Sequence, residues 1–194
     1  MHTSARFNEA LVYASELHAA QRRKGSGAPY IAHLLGVTAI VLEHGGSEDE
    51  AIGALLHDAV EDQGGAPRLA EIRQRFGPVV AEIVDGCTDS DTMPKPPWRE
   101  RKEAYIAHLP NAGRSVQLVS AADKLYNVRS TIDDYREHGE SVWQRFTTGR
   151  DGALWYYRTI AVKFDKLQGT SLLSQLQRAV AELERLAAAG RASA

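Results

Sequence analysis

Apolar positions along the chain recur three and four residues apart. Phe7, Leu11, Ala14 and Leu17 form one stripe, and Val37, Ile40 and Val41 belong to another; this spacing places side chains on one face of an α-helix. No run of strict alternation competes with it, so the periodicity predicts an all-α fold. Helices are expected near 5–20, 30–44, 48–63, 67–76, 78–88, 99–108, 113–138, 151–167 and 171–189. Stop signals agree with this division. Gly45-Gly46, Gly64-Gly65, Gly77-Pro78 and Gly139 each follow a periodic stretch, where a helix end favours a residue tolerant of left-handed backbone. Ser47 and Glu50 have the spacing of a capping box at the start of the third helix. Asp89 to Trp98, with Pro94, Pro96 and Pro97, is one long irregular loop, open to reading as a mobile flap or as a solvated connector. The alanine-rich end, ERLAAAGRASA, reads as a fraying helix without a role of its own.

Composition narrows the class. A chain of 194 residues, 43% hydrophobic and 25% charged, is expected to form a single globular domain. At that length roughly 70% of the unfolded surface is buried on folding, so no disulfide or metal staple is needed for stability. The single cysteine, Cys87, cannot form an internal disulfide, and a reducing cytoplasm is the expected compartment. The first residues lack the apolar core of a signal peptide, and the longest apolar stretch, Val37 to Leu42, is far shorter than the roughly 20 residues of a membrane span. A formal net charge of −2 gives no general attraction for nucleic acid, so an anionic partner must be held by a local patch. Neither a membrane nor a nucleic acid is expected as partner, and the oligomeric state is not legible.

Candidate chemistry concentrates in LLHDAVEDQ, residues 55–63. His57 and Glu61 are i,i+4 neighbours on the predicted helix, as are Asp58 and Asp62, so three carboxylates crowd one helix end. Acids there also meet the unfavourable end of the helix dipole. No lysine or arginine lies within the segment, and Arg68 is the first after it. A bound cation would remove both penalties; a solvated acidic end with a locally satisfied histidine is the other reading. Two distant residues bear on the choice. His33 opens the second helix after Pro29-Tyr30, and Asp123 stands among Ala121, Ala122 and Leu125, where a carboxylate is costly to bury unless paired or bound to a metal. Pairing of Asp123 with Lys124 is disfavoured, because adjacent helical residues do not face each other.

The order His, then His-Asp, then a distant Asp resembles the HD-domain metal phosphohydrolases. More closely, RRKGSGAPYIAH, LLHDAVED, RFGPVVAEIVDGCTD and SAADKLYNVRS together are similar to the hydrolase domain of RelA/SpoT-type enzymes and their stand-alone small alarmone hydrolases, over roughly residues 5–165. The resemblance implies an all-α HD domain that holds one divalent metal, usually manganese, and removes the 3′-pyrophosphate of (p)ppGpp. Carried over by motif, His33, His57, Asp58 and Asp123 are the implied metal ligands, and Glu61 and Asp62 orient and deprotonate the attacking water. Arg23, Lys24, Ser26, Asn127 and Ser130 are implied to contact the small-molecule nucleotide, with Ser130 standing where the family has threonine. Asn127 and Ser130, at i+4 and i+7 from Asp123, share its helix face. Mixed nitrogen and oxygen ligands suit manganese or another first-row divalent ion.

Two departures from the family pattern stand out. Leu34 replaces the proline that usually follows the histidine, and the basic loop reads Arg23-Lys24-Gly25-Ser26-Gly27, one glycine longer than usual. The second bears on base preference, since related hydrolases act on (p)ppApp or remove the 2′-phosphate of NADPH. Long family members add a synthetase domain, for which 194 residues leave no room. A nucleotide sensor without turnover is the non-enzymatic alternative, against which the intact Glu61-Asp62 pair argues. His18, His44, His108 and His138 have no partner pattern and read as surface or locally satisfied groups; LWYYR, at 154–158, reads as core, the alternative being Tyr157 or Arg158 over the pocket, and WRERKEAY reads as a solvated charged helix face, the alternative being Arg99 or Arg101 against distal phosphates.

Overall fold

The computed structural model describes residues 4–90 and 94–192. Among the described residues there are ten α-helices: α1 Ala5–Leu17, α2 Ile31–Glu43, α3 Glu48–Leu56, α4 Ala59–Gln63, α5 Gly65–Phe76, α6 Pro78–Cys87, α7 Trp98–His108, α8 Arg114–His138, α9 Gly149–Ile160 and α10 Ser171–Ala192. Short 3-10 helices lie at Leu109–Asn111, Gly139–Arg145 and Asp165–Leu167. The all-α expectation holds, and no described helix is long and apolar enough to cross a membrane.

The local signals act where the sequence put them. The Ser47 hydroxyl accepts from the Glu50 N–H while the Glu50 carboxylate accepts from the Ser47 N–H at 2.7 Å, closing the capping box. The marked stops Gly45, Gly64, Gly77 and Gly139 all take positive φ, backbone that glycine enters without a Cβ clash. Several boundaries depart from expectation. The helix expected over 48–63 is two, because the chain leaves α3 after Leu56 and Asp58 sits at φ −96°, ψ −2°, in the sparsely allowed bridge between helical and extended backbone. The segment expected over 151–167 ends at Ile160 and resumes as a single 3-10 turn, and α1 ends at Leu17 rather than near residue 20. Residues 91–93 of the expected irregular loop lie outside the described residues; 94–97 are irregular, as foreseen.

Two apolar clusters form the interior. One gathers Ala10, Tyr13, Leu34, Ile52, Leu55, Leu56, Ile72 and Phe76 from α1, α2, α3 and α5. The larger one surrounds α8, whose Leu118, Val119, Ala121, Ala122, Leu125 and Val128 are all buried, and reaches α9 and α10. Helix α8 is therefore the axis of the molecule, touched by α2, α3, α6 and α10. Small residues let neighbours come close. Gly36 on α2 faces the Tyr126 ring on α8 with no room for a Cβ, and Gly53 on α3 faces Ile83 on α6. Gly36 lies three residues after His33 on one helix face, so its close contact seats α2 against α8 where His33 and Asp123 meet.

Candidate active site

Three separate stretches converge between the two apolar clusters. His33 comes from the first turn of α2, His57 and Asp58 from the break between α3 and α4, and Asp123 from the middle of α8. His33 Nε2 lies 3.5 Å from Asp58 Oδ2 and 3.3 Å from Asp123 Oδ1. His57 Nε2 lies 3.2 Å and 3.7 Å from the same two oxygens. The His57 Nδ1–H donates to the Ala54 carbonyl oxygen at 2.8 Å, which fixes the ring and turns Nε2 inward, as metal-binding histidines require. His57 Nε2 is buried and has no aligned hydrogen-bond partner among the described residues.

These facing atoms fit a cation better than each other. Donor atoms about 2.1 Å from one ion, set at right angles, stand about 3 Å apart, close to the separations found. The ligand atoms of His33, His57 and Asp58 all lie within 4.8 Å of one another and could hold a metal ion. Asp123 faces that group from α8, but its oxygens are also engaged: Lys124 Nζ donates to Oδ2 and Asn127 Nδ2 to Oδ1, both at 2.5 Å. The expectation that Lys124 would not pair with Asp123 is thus corrected. Adjacent Cβ atoms diverge, but the four-carbon lysine stem is flexible enough to turn back. Its ammonium lies 5.4 Å from the Tyr105 ring centre.

Electrostatics reflect this crowding. Burial opposes the charge on His57, but the Asp58 and Asp123 carboxylates outweigh it and hold the imidazole well above its ordinary pKa. Burial likewise opposes ionisation of Asp58 and Asp123; the imidazoles around Asp58, and Lys124 with the imidazoles around Asp123, keep both carboxyls well below their usual range. Asp58 gains a further donor in Tyr30, whose hydroxyl lies 2.6 Å from Oδ2. Burial and the Asp58 charge push the Tyr30 phenol upward, so it keeps its proton and donates. Its ring stacks on His18, 5.2 Å between centres. His18 is buried and bonded through Nδ1 to Gln21 at 2.6 Å, but its Nε2 has no hydrogen-bond partner among the described residues, so it is neither at the surface nor fully satisfied.

The acidic pair next to the cluster is held from outside its own segment. Lys95 Nζ donates to Glu61 Oε1 at 2.8 Å, and Gln21 Nε2 donates to Asp62 Oδ2 at 2.7 Å. Residues 55–67 contain no lysine or arginine for these acids, and Lys95 arrives from the proline-rich loop. That flank thus meets the acidic pair through the Lys95–Glu61 contact. The solvated reading of WRERKEAY needs a similar correction. Arg99 does face outward, its guanidinium 3.4 Å from the Trp155 ring centre, but Arg101 and Lys102 turn inward and both donate to the Asp89 carboxylate.

A cavity of about 470 Å³ opens in front of the cluster and is lined by all five residues assigned to the nucleotide: Arg23, Lys24, Ser26, Asn127 and Ser130. The basic loop is a tight turn. Arg23 N–H donates to Ala28 O at 2.9 Å and Gly27 N–H to Arg23 O at 3.0 Å, with Gly25 at φ +96°. The Arg23 guanidinium donates to Asn127 Oδ1 at 2.9 Å, and Asn127 in turn to Asp123, so the loop is tied to the cluster through two bonds. Arg145, from an unforeseen 3-10 segment, lies across Gly25 and donates to Asp134 at 2.7 Å. Arg101, weighed as an alternative from the sequence, does line the cavity; Tyr30, Gln21, Lys95, Lys102 and Arg145 are the residues that sequence reasoning missed. None carries a local signal beyond its type.

A model of the HD domain matches residues 10–154, and the chain belongs to the HD-domain family. Within it, the chain is similar to MESH1, named a guanosine-3′,5′-bis(diphosphate) 3′-pyrophosphohydrolase. Identity to the Xenopus tropicalis protein is 44% over 124 residues, spanning 62% of this chain and 66% of that one. Identity to the Mus musculus protein is 34% over 183 residues, spanning 93% of each. Among solved structures, a metazoan ortholog of SpoT, described as hydrolysing ppGpp, superposes with a TM-score of 0.75 at 29% identity over 95% of this chain and 97% of that one.

Proposed function

We propose that this chain is a metal-dependent 3′-pyrophosphohydrolase of the alarmone nucleotides (p)ppGpp or (p)ppApp, acting in the cytoplasm. The observation that carries the reading is the buried convergence of His33, His57, Asp58 and Asp123 beside the Glu61-Asp62 pair, at the floor of a cavity rimmed by cations. The named activity of the MESH1 relatives supports it. The four cluster residues would hold one divalent ion, manganese by preference. Such an ion supplies water of lowered pKa and neutralises charge on phosphoryl oxygens.

The chain's own groups do the rest. Glu61 and Asp62 accept the proton of the attacking water, with Lys95 and Gln21 fixing where the two carboxylates point. Water oxygen bonds to the phosphorus attached at the 3′ oxygen, the bond between that phosphorus and the 3′ oxygen breaks, the 3′ oxygen takes up a proton, and pyrophosphate leaves. Arg23, Lys24 and Ser26 contact the nucleoside from the basic loop, and Asn127 and Ser130 from α8. Tyr30 keeps Asp58 in place through the bond at 2.6 Å.

Two variants separate binding from chemistry. His57→Ala is expected to lose the metal and all turnover. Glu61→Gln is expected to retain metal and lose turnover by about 100-fold or more, the usual worth of a positioned acid-base group. Metal analysis beside a pyrophosphate-release assay reads both, and full activity in Glu61→Gln overturns the division of roles.

A further inference from the structure

The cluster itself faces a second cavity of about 160 Å³, lined by His33, His57, Asp58 and Asp123, which shares Tyr30, Asp58, Glu61, Lys102 and Asn127 with the outer one. It exceeds by about tenfold the space a single buried water needs. Its inner wall is made by groups to which the hydrolytic steps give no part: Lys102, Lys124, Tyr105, Ser120 and Tyr156. Ser120 is satisfied, accepting from the Tyr105 hydroxyl at 2.8 Å. Tyr156 is not. It is 8% exposed, and its buried hydroxyl has no hydrogen-bond partner among the described residues.

An unpaired hydroxyl in such a place is costly unless something meets it. The surroundings say what. Lys102 Nζ lies 5.0 Å and Lys124 Nζ 5.8 Å from the Tyr156 ring centre, so two ammonium groups stand close to the ring. Each lysine already answers one carboxylate, Asp89 and Asp123 respectively, yet an ammonium has three donors and keeps capacity for more. A neutral phenol and two cations around a polar chamber favour an oxyanion with several acceptor oxygens.

We propose that the Tyr156 hydroxyl is a substrate-binding donor that holds the outer phosphate of the 3′-pyrophosphate, with Lys102 and Lys124 beside it, and so makes the inner chamber selective for pyrophosphate over a single phosphate. The assignment rests on the hydrolase reading above. The hydroxyl lies in Trp155-Tyr156-Tyr157, a stretch whose aromatic spacing reads first as core and in which Tyr156 carries no signal of its own.

The test compares wild type with Tyr156→Phe in the presence of manganese. Calorimetry with inorganic pyrophosphate and, separately, orthophosphate reads the chamber directly, and thermal denaturation reads the fold. Tyr156→Phe is expected to weaken pyrophosphate binding by about tenfold, the worth of one hydrogen bond to a charged group, to leave orthophosphate binding unchanged, and to keep or raise the Tm, since no internal bond is lost. Equal pyrophosphate affinity in the two proteins, or a fall in Tm without a change in the affinity ratio, overturns the assignment. Wild type that binds pyrophosphate no better than orthophosphate also overturns it. Because binding is measured without turnover, a chain that binds pyrophosphate through Tyr156 yet cleaves no alarmone would instead count against the hydrolase reading alone.

Discussion

The residue at which charge and chemistry meet most sharply is His57. Its Nδ1–H is committed to Ala54 O, so the proton gained through the raised pKa sits on Nε2, the nitrogen that faces Asp58 and Asp123. A cation entering between these groups must displace that proton. With the folded-state pKa raised by the Asp58 and Asp123 carboxylates, protonation and cation binding compete at Nε2, so apparent affinity rises as pH rises. Titration with manganese in two buffers of different ionisation enthalpy should give different heats, and identical heats would contradict proton release. At this scale the motifs foretold which side chains come together, as at His33, His57, Asp58 and Asp123. The sequence was silent on Tyr30, Gln21 and Lys95, whose roles exist only because the chain brings a phenol to Asp58, an amide to Asp62 and an ammonium to Glu61. The lysine next to Asp123 was misjudged because helix geometry constrains Cβ directions, not the reach of a long side chain.

Helix α3 shows what an element contributes. Its start is a capping box and its end delivers His57, nine residues away. Ser47→Ala removes one partner of the box and should cost about 1 kcal/mol, lowering Tm by about 2–4 °C in a domain of this size. Cation affinity should be unchanged, because the cap and the site are at opposite ends of the helix. A calorimetric scan and a cation titration of the variant check both, and loss of cation binding would show that the cap positions the site. Helix ends marked by glycine or by a cap were legible in advance. The break at His57-Asp58 was not, since the apolar spacing of Leu55, Leu56, Ala59 and Val60 runs through it and all four are buried on both sides of the turn. The break sets Asp58 beside His33 and Tyr30, and periodicity carries no trace of that.

Across the whole molecule, the site is a seam between two apolar clusters, with α8 contributing Asp123 at its floor and Asn127 and Ser130 toward the opening. The clustered His and Asp side chains lie deep and paired, while the cations of the basic loop, α7 and Arg145 ring the mouth, an arrangement that attracts a polyanion. An overall charge of −2 hides this polarity, which arises only when separate basic stretches fold to one rim. The all-α class and the order of the motifs were legible at this scale; the two connected cavities were not, because they are made by residues up to about a hundred positions apart, as with Arg23 and Asn127. The central claim is tested most directly by giving the manganese-loaded chain ppGpp, pppApp and NADPH in parallel and identifying the products. Free pyrophosphate from at least one of the two alarmones, with the 5′ end left intact, is the predicted result. No pyrophosphate from either alarmone, with orthophosphate released from NADPH, would contradict it.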